Sequence, residues 1–184
     1  LALTPVQKLY TQFLPVLILV LLDNTLLSTT YRLLGEYAFP KWVSIIISVI
    51  VLVVLTNAYN LIDGLDGLAG AIGIIVFGFY GTWFYMTGNN ALGHIAFCFL
   101  GSLLAFLFFN WQPSKIFMGD TGALMIGLLI SYLTIKFINL NHQLPDQNSF
   151  KFNSSVATAI SVIIIPVFDT LRVIILRLRK SQSP

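Results

Sequence analysis

Six apolar stretches, each close to the roughly 20 residues that a helix needs to cross a hydrocarbon core, are separated by short polar connections: Phe13–Thr30, Trp42–Ile62, Leu68–Thr87, Ala91–Trp111, Gly122–Ile138 and Ser155–Leu178. The first is the weakest, because Asp23, Asn24 and three hydroxyl residues dilute its second half, and an interfacial helix is the alternative there. Turn residues mark the connections: Gly35 and Pro40, then Gly64 and Gly67, Gly88-Asn89-Asn90, and Pro113. Two connections are long, Arg32–Lys41 and Asn139–Asn153. The pattern predicts an all-α, polytopic integral membrane protein with about six transmembrane helices and no soluble core.

Composition supports the bilayer as solvent. The 184 residues are 57% hydrophobic and 9% charged, with mean hydropathy +0.88, against roughly 25% charged residues in an average soluble domain. The net charge of +3 includes a basic cluster from Arg172 to Lys180 that suits anionic headgroups. No basic stripe with interleaved aromatics is present, so no nucleic-acid partner is expected. The single cysteine, Cys98, lies in an apolar run and reads as a small packing residue. The first residue is Leu1, and no signal peptide follows it. Residues 1–184 therefore read as one membrane-embedded domain that is part of a longer protein. With six spans, both ends and the 63–67 and 112–121 loops share one side with Lys8, Lys115, Arg177, Arg179 and Lys180, which predicts that side to be cytoplasmic.

Candidate chemistry concentrates in two segments on that side. In Asn57–Gly70, polar groups recur every three residues at the end of an apolar helix: Asn57, Asn60, Asp63 and Asp66. Steps of three turn about 300°, so Asn57 and Asn60 share a face while Asp66 rotates away from it. Gly64 and Gly67 would end the helix and let Asp66 fold back. In Asn110–Gly122, a loop leads into a helix with Asp120 at the expected N-cap, glycines on either side and Lys115 nearby. Helix packing by the amides and simple capping by Asp120 are the plain alternatives. Amides, carboxylates, glycines and a lysine on one face together describe a site for a magnesium-bound diphosphate, since Mg²⁺ takes hard oxygen ligands.

Segments 57–70 (NAYNLIDGLDGLAG) and 115–122 (KIFMGDTG) resemble the signature segments of the polyprenyl-phosphate N-acetylhexosamine-1-phosphate transferases. That superfamily includes the muramoyl-pentapeptide transferase of peptidoglycan synthesis and the eukaryotic enzyme that starts N-glycosylation. The resemblance runs through the whole chain. It implies that a polyprenyl phosphate attacks the β-phosphorus of a UDP-N-acetylhexosamine, releasing UMP, in a bacterial inner membrane with the site facing the cytoplasm. By similarity, Asp120 and Asn60 would hold Mg²⁺, with Mn²⁺ as an alternative, and Lys8 would contact the diphosphate. Asp66 would help bind uracil, the Phe117 backbone would lie by the nucleotide, and Asn57 and Asp63 would support that shell. The partners are then the UDP-sugar, the polyprenyl phosphate and the bilayer, and a homodimer is compatible.

The wording of both segments is closer to the branch that starts O-antigen, enterobacterial-antigen-like or teichoic-acid glycans than to the muramoyl-pentapeptide branch. The family's adjacent Asp pair falls just before the position of Leu1 and its His-rich loop beyond Ser183-Pro184, so the chain alone is expected to be inactive. Ala123 stands where many relatives have Ser. A transporter is the competing reading from another class, but it would want acids near mid-span, where only Asp169 and Asp23 qualify. Pro166 is expected to kink the last span, with Asp169 pairing to Arg172 one turn on. His94 reads as a packing histidine and His142 as a residue of the outer loop.

Overall fold

The computed structural model describes residues 5–31 and 37–179. Its helices follow in order as α1 (Pro5–Leu21), α2 (Lys41–Ile62), α3 (Leu68–Met86), α4 (Asn90–Asn110), α5 (Gly119–Gln143), α6 (Ser155–Val162) and α7 (Ile164–Arg179). Among the described residues, strand-like pairing is limited to one isolated bridge, Thr29 to Ala38. The protein is all-α and polytopic, as expected, but the described residues hold fewer than the six spans expected. Helices α2, α3, α4 and α5 are long and apolar enough to cross a membrane, and α6 with α7 makes a fifth if the bent pair is one span.

Helix α2 shows why these runs are helical. It is dense in Ile and Val, which are indifferent helix formers in water. In hydrocarbon each unpaired peptide group would cost several kcal/mol, so a helix that pairs its own backbone is the local solution whatever the side chains prefer. One stripe of α2 is buried, with Ser44, Ser48, Leu52, Thr56 and Tyr59 at steps of four and three. The Ser48 and Thr56 hydroxyls donate to the carbonyls of Ser44 and Leu52 within the helix, while the Tyr59 hydroxyl donates to the Ala69 carbonyl of α3. Gly127 of α5 packs on that stripe. A Cβ there would stand 2.7 Å from the Thr56 carbonyl oxygen, so any side chain would force the backbones apart.

The core lies between α3 and α5, where Phe77, Tyr80, Phe84 and Phe137 are fully buried. The Trp83 ring meets Phe137 edge to face at 4.6 Å, and the Tyr80 and Thr134 hydroxyls lie 2.9 Å apart. Interhelical hydrogen bonds in membranes average only about 0.6 kcal/mol, so close packing carries most of this contact. Helix α4 packs along α3 and leaves most of its surface outward. Cys98 is exposed there rather than packed. His94, near the start of the same helix, is exposed with its ring 6.5 Å from Tyr85.

The two ends of the chain depart from the expected spans for identifiable reasons. Helix α1 stops at Leu21, and the chain turns through Asn24 at φ 49° to lay residues 25–31 against other helices. Asp23 pairs with Lys136 of α5 at 2.7 Å, the Leu27 N–H donates to Ser48 Oγ, and Asn139 Nδ2 donates to the Leu26 carbonyl. These partners replace the helical bonds that a span through Thr30 would have made. At the other end, α6 and α7 meet at 72° about Ile163. Pro166 accounts for the break, because its ring displaces the carbonyl of Val162 and it has no N–H to give. Asp169 and Arg172 do form an ion pair, at 3.6 Å. Helix α5 outruns its expected end, so His142 sits in its last turn, edge-on to Tyr31 at 5.4 Å.

Candidate functional site

Four helix ends, those closing α2 and α4 and those opening α3 and α5, meet around two loops, 63–67 and 111–118. Helix α2 ends at Ile62 with Asp63 as its C-cap, and α3 begins after Gly67, whose φ of 76° is the left-handed conformation that a side chain would strain. The Gly67 N–H donates to Asn110 Oδ1 at 3.0 Å, and Asn110 Nδ2 donates to the Ile116 carbonyl at 2.8 Å. Asn110 is only 5% exposed, so one buried amide clamps both loops. Asp66 is carried out of the α2 axis by the glycine-ended turn and accepts from the Ser114 N–H at 3.4 Å. The turn expected from Gly64 and Gly67 is present, and it brings Asp66 to the second loop.

Helix α5 opens two residues earlier than capping by Asp120 requires. Met118 occupies the cap position without a capping hydrogen bond from its own side chain, and Asp120 is the second helical residue. Asp120 is therefore not the N-cap, although a carboxylate in the first turn still favours the positive end of the helix dipole. Across from it stands Asp63. Burial, and then the neighbouring Asp120 carboxylate, push the Asp63 carboxyl above its ordinary range, while the Gly119 backbone offsets part of this. A carboxyl whose proton affinity is raised by a neighbouring carboxylate makes a natural seat for a cation. Asn60, one turn before Asp63 on α2, is partly exposed and forms no side-chain hydrogen bond among the described residues. Three or more acids, histidines or cysteines nowhere converge among the described residues. The donor set is thus two carboxylates and an amide, all hard oxygens, which fits Mg²⁺ completed by phosphate oxygens and water better than an ion wholly caged by protein.

The other expected site residues divide. Asn57 is spent on support: its Nδ2 donates to Val53 O at 2.8 Å and to Gln12 Oε1 at 2.9 Å, and its Oδ1 accepts from Gln12 Nε2 at 3.4 Å. Asp66 lines a cavity of about 700 Å³ with Gly64, Leu65, Gly67, Trp111 and Gln112. Phe117, 77% exposed, lines a different cavity of about 490 Å³ with Phe106, Met118 and Met125, so the two residues do not share a pocket wall. Lys115 is exposed in the second loop. The contact expected of Lys8 lies outside the described side chains.

Comparison with known proteins bears on the two motif segments directly. The sequence profile of glycosyl transferase family 4 matches residues 1–138, which takes in both loops and helices α1 to α4. The chain belongs to glycosyl transferase family 4. It is 44% identical over 62 residues to the phospho-N-acetylmuramoyl-pentapeptide-transferase of Staphylococcus carnosus, covering 34% of this chain and 19% of that one. It is 37% identical over 83 residues to the probable undecaprenyl-phosphate N-acetylglucosaminyl 1-phosphate transferase of Bacillus subtilis, covering 45% and 21%. The matched part spans about a fifth of the length of these curated relatives.

Within this family 4 chain, two residues of the site escaped the sequence reading. Asn110 carried the same signal as Asn57 and Asn60, an amide at the end of an apolar helix, but its role depends on the loop that folds over it. Gln12 carried the same signal in α1, and only its partner 45 residues away shows what it does.

Proposed function

We propose that the intact enzyme transfers an N-acetylhexosamine 1-phosphate from a UDP-sugar to a polyprenyl phosphate at the cytoplasmic face of a bacterial membrane. The observation that carries this reading is the Asp63 and Asp120 pair, held where the two motif loops meet. An acceptor phosphate oxygen would form the new bond to the β-phosphorus, and the bond to UMP would break. Asp120, Asp63 and Asn60 would hold Mg²⁺, which when bound supplies charge neutralisation at the diphosphate. Lys8 would add a positive charge to the same group. Phosphoryl transfer needs alignment and charge more than a covalent nucleophile, and on this reading Asp63, Asp120, Asn60 and Lys8 would provide them.

Two cavities adjoin the 63–67 turn, in keeping with the two substrates. The Asp66 cavity offers an acid, a glycine backbone and the flat wall of Trp111, equipment for a planar heterocycle with N–H groups. On the other side of the 63–67 turn, a groove of about 360 Å³ runs between the end of α2 and α7, lined by Leu61, Leu65, Ile165 and Phe168 with Asp169 and Arg172 at its polar end. An apolar chain with a phosphate head would suit it.

The test is phosphate-dependent UMP release by the purified intact enzyme, assayed across a panel of UDP-sugars with Mg²⁺. Release should require polyprenyl phosphate. Asp66→Asn should raise KM for the UDP-sugar about 10-fold or more with kcat little changed, in line with a lost hydrogen bond to a charged group. A shift in Mg²⁺ requirement with nucleotide affinity intact would reassign Asp66, and turnover only with a muramoyl-pentapeptide donor would select the other branch. The orientation has its own check: a membrane-impermeant probe should label a cysteine placed at Asn148 from outside and spare one placed at Ser114.

A further inference from the structure

Helix α1 buries one ridge of side chains at four-residue steps. Gln12, Val16 and Val20 are 6%, 0% and 1% exposed, and the two valines pack with Leu52 of α2 and Ile135 of α5. The next step along the same ridge, toward the start of the helix, is Lys8. Gln12 is the polar member of the buried part, and it forms a reciprocal amide pair with Asn57: Asn57 Nδ2 donates to Gln12 Oε1 at 2.9 Å, and Gln12 Nε2 returns a longer bond to Asn57 Oδ1 at 3.4 Å. The second N–H of Asn57 goes to the Val53 carbonyl at 2.8 Å. Helices α1 and α2 run antiparallel here, because Gln12 meets Asn57 while the later Val16 and Val20 meet the earlier Leu52. One turn back along α1, about 6 Å to Lys8, therefore corresponds to one turn forward along α2, about 5 Å to Asn60, with Asp63 a further turn on.

We propose that the Gln12–Asn57 amide pair is a positioning device for the reaction, fixing the depth and rotation of α1 so that the Lys8 rung comes level with the Asn60 and Asp63 end of α2. This rests on the reading of Lys8 as the lysine that meets the diphosphate. Contacts among valines, leucines and isoleucines are not directional and would tolerate a slide or a turn of a short helix in lipid. A paired amide is satisfied in one register only, the best-attested use of a polar group buried between helices.

The experiment is a double-mutant cycle in the intact enzyme, using Gln12→Leu, Lys8→Ala and both, with kcat, KM for the UDP-sugar and the melting temperature read for each. Gln12→Leu should lower kcat/KM about 10-fold when Lys8 is present and less than about twofold in the Lys8→Ala background, a coupling within the range seen for residues that act as a unit. The melting shift should be the same in both backgrounds, and the exchanged pair, Gln12→Asn with Asn57→Gln, should recover most of the loss. Equal losses with and without Lys8 would reduce the pair to helix packing and overturn the proposal while leaving the lysine's role standing. Unchanged turnover in Lys8→Ala alone would remove that role, and the positioning with it. Should Gln12→Leu fail to insert, Asn57→Ala enters the same cycle from the α2 side, with the same outcomes deciding.

Discussion

Asp120→Asn in the intact enzyme is expected to insert and fold normally yet turn over at least about 10 to 100-fold more slowly, with the residual activity needing more Mg²⁺. That factor is typical even for residues that only support a metal's ligands, so it is a floor for a ligand itself. The substitution is clean because Asp120 is the second residue of α5 and does not cap it. Its interaction with the helix dipole is weakened by about 0.3–1 kcal/mol, too little to unfold the chain. Near-normal turnover with an unchanged Mg²⁺ requirement would leave Asp120 as a helix-terminus charge and remove the metal from the site.

Asp63→Asn separates the charge cost from the metal. Burial and Asp120 raise the Asp63 carboxyl, so the folded protein holds that proton more tightly than the unfolded chain does. The cost of ionised Asp63 is therefore absent below the ordinary carboxyl range and fully present above the raised folded value, and stability falls as pH climbs between them. The amide should melt at a higher temperature than wild type at neutral pH without divalent ions, an advantage that vanishes in acid. With excess Mg²⁺ the wild type should gain stability and the variant should not. A lower melting temperature for the variant in metal-free neutral buffer would contradict the pairing of the two acids.

Asn110→Ala is expected to damage the site from beneath. It strips the Gly67 N–H and the Ile116 carbonyl of their partners, at about 1–3 kcal/mol for the buried Gly67 N–H left unsatisfied. The melting temperature should fall, and KM for the UDP-sugar should rise more than kcat drops, because Asp66 and Trp111 stand on the two loops that this amide joins. Asn110→Asp should do no better, since it keeps an acceptor for Gly67 but turns an oxygen toward the Ile116 carbonyl. A reduced melting temperature with unchanged KM would make Asn110 a purely structural clamp.

Helices α2 to α5 were legible in the sequence to within a few residues. A long apolar run in lipid must pair its own peptide groups, and that demand is local. The 63–67 turn was legible for a similar reason, since Gly64 and Gly67 end a helix by backbone freedom that needs no distant partner. The Asp169 to Arg172 pair is three residues apart on one helix and follows from its pitch. The break at Ile163 was half legible: Pro166 announced a bend, but not that it would be 72°.

What the sequence alone determined, then, was the solvent, the helices, the amides and acids available at one membrane face, and through the two motif segments the family. Which of those groups meet was decided by tertiary structure. Asp23 ends the first helix early because Lys136, 113 residues away, is there to neutralise it. Asn57 is tied to the first helix because Gln12 takes its amide. Asp63 feels the Asp120 carboxylate because the fold brings the start of α5 to the end of α2. The physical reason is the same in each case: a backbone in lipid satisfies itself within a few residues, whereas a polar side chain there must find its partner on another helix, and the chain's local pattern does not say which.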